Sequence, residues 1–303
     1  MLVAAHRALG QMLFYAGAVA DAHTHFAQGI ALYDAQPHRA SAFLYGEDAG
    51  VACHSFAART LWFLGYPDQG LAQSQQAVTL AQQRAHPLSL DYALRNAAMF
   101  HQFRREVRVA QERAEASIRL ATEQGFPYWI AFGTILRGWA LTHQGQAQAG
   151  VEQMHQGLTA WRATGAEIQV PPFLALLAEA HGTLGEPEAG LAVLAEALVH
   201  GEHTGERYLE AEIHRLKGEL LLQQSSSNQT EAESCFHQAI AIAQNQQAKS
   251  FELRTATSLA RLWQSQGKRE EARQVLGDVY HWFTEGFDTA DLKDAKALLD
   301  ALA

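Results

Sequence analysis

Self-similarity at an interval of forty constrains this sequence more than any other feature. Trp139-Ala140-Leu141-Thr142-His143-Gln144-Gly145, followed by Gly150, Met154 and Gly157-Leu158, is echoed forty residues on. There stand Glu179-Ala180-His181-Gly182-Thr183-Leu184-Gly185, then Gly190, Leu194 and Ala197-Leu198. Eighty residues before Gly145 lies Gly65, with Gly70, Ser74 and Ala77-Val78 behind it. The unit between has Arg105 in place of the glycine but keeps Ala110, Ala114, Ser117-Ile118 and Leu120. Two looser units flank these at the start (Gly17, Ala22, Phe26, Gly29-Ile30) and the end (Gly267, Ala272, Leu276, Val279-Tyr280). A sixth (Ala232, Phe236, Ala239-Ile240) carries an extended turn at Ser225–Gln229. A register held over three equal steps marks a repeat array, in which each unit buries its apolar face against its neighbours.

Within each unit the pattern is that of a helical hairpin. Pairs such as Leu9-Gly10, Ala57-Ala58, Leu177-Ala178 and Leu259-Ala260 place a small residue where a partner helix approaches closely. A glycine then supplies the positive φ that ends the helix. Polar turn residues follow, and a second helix repeats small and large residues at spacings of three and four. Pro37, Pro87, Pro127 and Pro171-Pro172 are expected between units, where a helix breaks. Units are expected at about 3–40, 51–90, 91–130, 131–170, 171–210, 211–250 and 253–284, as one domain over 1–303. Leu292, Ala295, Leu299 and Leu302 form one stripe of a capping helix over 289–302, with Asp288-Thr289 as its N-cap.

Composition agrees and narrows the function. Hydrophobic residues are 48% of the chain, dominated by Ala and Leu, and with Gln, Glu and Arg these are helix formers. Thirty-two acidic against 23 basic side chains give a net charge of −9. The basic residues are scattered, and the cluster Arg104-Arg105 with Arg108 and Arg113 reads as a solvated helix face, so nucleic acid is not the expected partner. No apolar stretch has the length of a membrane span. Residues 12–20 could pass for the apolar core of a signal peptide, but only Arg7 precedes them as a firm positive charge and they fall in the repeat register. Cys53 and Cys235 match no metal spacing and are expected as reduced, buried thiols of a cytoplasmic protein.

Motifs for chemistry are lacking. No two glycines stand two positions apart, which excludes G-x-G-x-x-G, and Gly267-Lys268 is followed by Arg269, not by the Ser or Thr of a phosphate loop. His200 and His203 could share a helix face, yet a pair without further ligands is expected to be exposed helix-end histidines. His143 and His181 precede turn glycines, where the helix dipole favours them. No catalytic residue, cofactor or metal is expected, and the chain is expected to be no enzyme.

The small residues at the eighth, twentieth and twenty-seventh places resemble the tetratricopeptide repeat, lengthened from about 34 to about 40 residues. Leu44-Tyr45-Gly46-Glu47-Asp48, 61–69 (Leu-Trp-Phe-Leu-Gly-Tyr-Pro-Asp-Gln), 133–140, 214–222 and 282–292 are more specific. They resemble the C-terminal repeat region of bacterial class III adenylate or guanylate cyclases fused to a predicted ATPase. The resemblance spans essentially the whole chain but includes neither the cyclase nor the nucleotide-binding domain, so no cyclase activity carries over. It implies an all-α, right-handed superhelical solenoid of about seven hairpins. It also implies a concave groove lined by first helices for a protein or peptide partner, with upstream cyclase or ATPase domains as further partners. The chain opens almost inside its first helix, as expected of a C-terminal piece of a longer signalling protein.

By that resemblance the groove residues are Arg7, Phe14 and Tyr15 in the first unit, Arg59, Trp62 and Phe63 in the second, Tyr92, Arg95 and Phe103 in the third, and Phe132 and Trp139 in the fourth. Aromatic and Arg side chains are the types enriched at binding hot spots. Later units offer the more charged Glu179, Glu212, Arg215, Glu219 and Arg254. Two readings stay open for the aromatic residues: a ligand-facing groove, or the core of longer hairpins. A regulatory interaction module is the leading function; a small-effector sensor of a transcription regulator is the alternative.

Overall fold

The computed structural model describes residues 2–34 and 46–303. The expected break at Pro37 and the pair Leu44-Tyr45 lie outside them. Among the described residues there are fifteen α-helices, one 3₁₀ turn and no strand. They pair as hairpins: α1 (Leu2–Tyr15) with α2 (Val19–Ala31), α3 (Ala49–Phe63) with α4 (Pro67–Arg84), α5 (Pro87–Phe103) with α6 (Val107–Gln124), and α7 (Pro127–His143) with α8 (Ala147–Ala163). Then come α9 (Val170–Leu184) with α10 (Pro187–Thr204), α11 (Glu210–Gln224) with α12 (Gln229–Asn245), α13 (Lys249–Ser265) with α14 (Arg269–Tyr280), and the closing α15 (Ala290–Leu302). The 3₁₀ turn, Ser226–Asn228, fills the extended connection before α12.

The turn residues do what the register requires. Gly17, Gly65, Gly145, Gly185 and Gly267 all have φ between 76° and 90°. Arg105, which replaces the glycine of its unit, takes the same left-handed conformation at φ 60°. The chain then closes with paired bonds: Gln146 N–H donates to Leu141 O at 3.0 Å and Gly145 N–H to Thr142 O at 3.2 Å. A second glycine series with the same interval (Gly125, Gly165, Gly205) caps the second helices, its place taken earlier by Ala85 at φ 51°.

Prolines mark the breaks between hairpins, as expected, by opening the helix that follows each break. Pro87, Pro127 and Pro187 occupy the first turn of α5, α7 and α10, where the missing N–H has no intrahelical partner to lose and φ is already helical. The described hairpins α5/α6 and α7/α8 therefore begin at 87 and 127, four residues before the expected unit starts.

Small residues mark helix crossings. A Cβ on Gly10 would stand 2.7 Å from the Phe26 ring, one on Gly218 2.5 Å from the Phe236 ring, and one on Gly138 2.7 Å from the Gly150 carbonyl oxygen. Since 10, 138 and 218 hold one place in the repeat, this is the position at which first and second helices touch.

The chain divides into two compact units: Met1–Trp62 with Asp68–Glu167, and Phe63–Pro67 with Ile168–Ala303. In the second, Leu292, Ala295, Leu298 and Leu302 of α15 pack on Leu253, Ala256, Leu276 and Val279. Leu298 is the more deeply buried member of the stripe and Leu299 its partly buried neighbour. Lys293, Lys296 and Asp300 stay exposed. Thr289 holds the N-cap place in extended conformation, but its hydroxyl donates to Gly286 O and makes no cap bond. Cys53 and Cys235 are both buried and free.

Candidate functional site

In the first unit the odd-numbered helices bring three arginines around one tyrosine. Tyr92, on α5, accepts a hydrogen bond from Gln11 Nε2 of α1 at 2.8 Å. Burial pushes its phenol up to about 12, against the opposing pull of Arg95, Arg7 and Arg59. The hydroxyl is therefore neutral and available for hydrogen bonding at physiological pH. Arg7 pairs with Glu47. Arg59, on α3, donates to Asn96 Oδ1 at 3.3 Å and lies 4.7 Å from the ring centres of both Phe14 and Phe56.

Arg95 is the most distinctive member. Its guanidinium lies 4.4 Å from the ring centre of Tyr92, 4.3 Å from Trp129 and 5.1 Å from Phe132. Such stacking holds a cation in place without neutralising it. The Arg95 Nε is buried without a hydrogen-bond partner. Beside it, burial raises the Asp91 carboxyl to about 6, more than Ser117 and Arg95 lower it.

Of the eleven residues assigned by resemblance, Phe14, Arg59, Trp62, Phe63, Tyr92, Phe103, Phe132 and Trp139 are at most 4% exposed. Their rings pack on one another and on neighbours: Trp62 stacks on Phe103 at 5.1 Å, and Trp139 packs on His143 at 4.6 Å. Phe63 belongs to the second compact unit, edge-on to Phe251 at 4.8 Å. Longer helices give these aromatics more neighbours than a short hairpin would. Arg7, Tyr15 and Arg95 are half-buried and keep accessible surface. Trp129, also half-buried, joins them without having been singled out in the sequence; its signal was the dipeptide Tyr128-Trp129 directly after the helix-opening Pro127. Arg7, Gln11, Tyr15, Arg95 and Trp129 thus form a partly open rim over a floor of Arg59, Tyr92, Asn96 and Phe132.

The second unit carries a different arrangement. Arg215 bonds Glu212 at 2.8 Å and Glu219 at 3.4 Å, and Arg254 reaches Glu212 at 3.6 Å and Asp291 at 2.9 Å. Ser258 donates to Glu219 at 2.5 Å. Burial works against the Arg215 charge, but Glu212, Glu219 and Glu179 outweigh it and hold the guanidinium above its ordinary range. These charges satisfy each other. A cavity of about 240 Å³ lies among Pro171, Pro172, Gly201, Glu206, Arg207 and Ile213.

No group of three or more His, Cys, Asp or Glu among the described residues could hold a metal ion. No helix among them is long and apolar enough to cross a membrane. His181 caps its own helix end by bonding Glu186 at 2.8 Å, and His101 makes the equivalent contact with Glu106 eighty residues earlier.

Comparison with known proteins places the fold. The tetratricopeptide-repeat family model matches residues 51–76, 171–196 and 253–278. A Rap protein complexed with competence and sporulation factor superposes with a TM-score of 0.61 at 14% identity, over 99% of this chain and 80% of that one. The apo form of RapI gives 0.57 at 10% identity, over 99% of this chain and all of that one. Aspartyl phosphate phosphatase F of Bacillus subtilis gives 0.57 at 11%, over 90% and 67%. An uncharacterized protein of Rhizobium meliloti (strain 1021) is 26% identical over 235 residues, 77% of this chain. The chain spans 23% of the length of that relative. Tetratricopeptide repeats on an all-α helical-repeat fold are what these likenesses share with the chain.

Proposed function

We propose that the chain is a non-catalytic interaction and regulatory module that receives a protein or peptide on the concave rim of its first unit. The observation that carries this reading is Arg95, a cation stacked among Tyr92, Trp129 and Phe132 with its Nε unbonded. Half-buried aromatic and Arg side chains over a rigid floor are the composition of binding hot spots. A Rap protein of similar fold has been solved with competence and sporulation factor bound, which supports a binding role for such an architecture. In the proposal the chain acts in the cytoplasm as the C-terminal part of a cyclase- or ATPase-linked bacterial signalling protein, coupling partner capture to those domains.

The test is comparative capture. Wild-type protein and the Trp129→Ala and Arg95→Ala variants are immobilised and exposed to a bacterial lysate, and captured proteins are quantified by mass spectrometry. The proposal expects a discrete set of partners lost from both variants while the melting temperature changes little. A captured set unaffected by either change would refute it. The cavity beside Pro171 and Glu206 favours a second reading, a small-effector sensor, for which a ligand-dependent rise in melting temperature abolished by Gly201→Leu would be the sign.

A further inference from the structure

One hairpin of the second unit is hollow where its counterpart in the first is filled. In the repeat register Gly201 of α10 corresponds to Trp161 of α8, and Pro172 of α9 to Phe132 of α7. Trp161 is fully buried, its ring 4.1 Å from that of Tyr128 and 6.0 Å from that of Phe132. Forty residues on, the same three places hold Ile168, Pro172 and Gly201, so both helices give up a ring at once. Two earlier hairpins have Ala81 and Ala121 at the second-helix place, and Tyr92 keeps a ring at the first-helix one. The cavity of about 240 Å³ opens beside Gly201 and Pro172.

Its lining changes from floor to mouth. Pro171, Pro172, Ala197, Leu209 and Ile213 are buried and apolar. Beside them Tyr208 is held in place, its hydroxyl donating to Gln169 Oε1 at 2.9 Å. The charged lining is three carboxylates, Glu202, Glu206 and Glu210, against the single guanidinium of Arg207. Glu206 is buried and fixed by the Gln169 N–H, which lies 3.0 and 2.9 Å from its two oxygens. Glu202 is exposed and Glu210 half-buried, which puts both on the solvent side. Arg207 pairs with Glu210 at 3.5 Å from a side chain that is 54% exposed, so it offsets only part of the negative charge. A cleft lined mainly by one sign of charge draws in the other sign and repels its own.

We infer that this cavity is a binding site for a small aromatic amine, whose ring takes the place that Trp161 fills in the preceding hairpin and whose ammonium lies against Glu202 and Glu210. Its volume is below the roughly 300–1,000 Å³ of pockets for drug-sized ligands, which limits the occupant to one or two fused rings with a short arm. The buried apolar walls favour a flat ring, which brings a large hydrophobic area in a compact shape. An aliphatic amine would leave the floor unfilled, and an acid would face three carboxylates. Such a ligand presupposes the small-effector reading and is independent of the peptide rim on the first unit.

Isothermal titration calorimetry with tryptamine, indole-3-propionate and butylamine tests this. Tryptamine has both ring and ammonium and should bind at about 10–500 µM, the range open to a ligand of about a dozen heavy atoms. The propionate has the ring with the opposite charge, and butylamine the ammonium without a ring; each should bind at least about tenfold more weakly. Leu198→Trp should abolish tryptamine binding by filling the cavity. It is a gentler closure than one at Gly201, whose Cβ would stand 2.9 Å from the Glu206 carbonyl oxygen. The Glu202→Gln/Glu210→Gln variant, changed only on the solvent side, should keep its melting temperature and lose about tenfold in affinity; it decides the matter should Leu198→Trp fail to fold. Propionate binding as tight as that of tryptamine, and lost in Leu198→Trp, would overturn the amine and leave the effector reading standing. No binding of any probe would overturn both. Tryptamine binding that survives Leu198→Trp, or is unchanged in the double variant, would also overturn the inference.

Discussion

Replacing Asp91 by Asn should make the protein more stable at alkaline pH and leave it little changed in acid. Asp91 is fully buried on α5, with Oδ1 accepting the Ser117 hydroxyl at 2.6 Å and Oδ2 lacking a hydrogen-bond partner. Burial lifts its carboxyl from 3.8 to about 6 despite the favourable Ser117 and Arg95. A folded value above the unfolded one means that the native state binds the proton more tightly. The contribution is therefore fully present below about pH 4 and declines as pH rises towards and through 6. A shift of about two units corresponds to about 3 kcal/mol of stability withheld at pH 8, where the ionised carboxylate is buried. Urea unfolding followed by circular dichroism at several pH values between about 4.5 and 8 would measure the variant-minus-wild-type difference, in which contributions of other groups cancel. The difference should grow by about 2 kcal/mol in favour of Asn across that range, the rest of the change falling below pH 4.5. A difference that stays flat with pH would refute the reasoning, since it would mean that Asp91 ionises in the fold as readily as in the unfolded chain.

Trp62→Ala removes a ring stacked on Phe103 and should cost about 3–5 kcal/mol in urea unfolding, as a core truncation does. Gly150→Ala should destabilise by about 1–3 kcal/mol or more, because the added Cβ would run into Thr142 Oγ1 and come within 2.5 Å of the Gly138 carbonyl oxygen, at a crossing where backbone faces backbone. At the turn after α5, burial of Glu106 is outweighed by His101 and Arg104, which hold its carboxyl below the ordinary range. Its contribution is thus present above about pH 4.5 and lost on acidification, and Glu106→Gln should flatten the acid limb of the stability–pH curve without altering its slope above neutrality.

The fold was readable because its markers are backbone requirements. A left-handed turn and a close helix crossing each demand a small residue, so Gly65, Gly145 and Gly185 announce the period, and Gly10 and Gly138 announce the crossings. Prolines located the breaks between hairpins but not the helix starts to the residue, since the ring that forbids a helix interior favours a first turn; Pro87 and Pro127 open α5 and α7 four residues ahead of the expected unit starts. The second glycine series at 125, 165 and 205 carries the same information. Side-chain direction was the least legible. Trp62 and Trp139 have the composition of a hot spot, but whether a ring faces solvent depends on the length and lean of the helix beside it, which the repeat register does not encode. Trp129 was missed for the converse reason: it lies in a first turn, outside the stripe in which groove residues were sought, and reaches Arg95 only once α5 and α7 are side by side. The division at Glu167 and Ile168 has no counterpart in composition or period.

Gly125, Gly145, Gly165, Gly185, Gly205 and Gly267 have nothing within 4 Å of where a side chain would begin. These bends answer to torsion alone, which is why the exposed Ala85, Arg105 and Gln247 can adopt the same twist. Extra chain grafted there would project into open space, as Ser225–Asn228 already does between α11 and α12. Such a scaffold can acquire new loops, and with them new specificities, while the packing of its helices stays as it was.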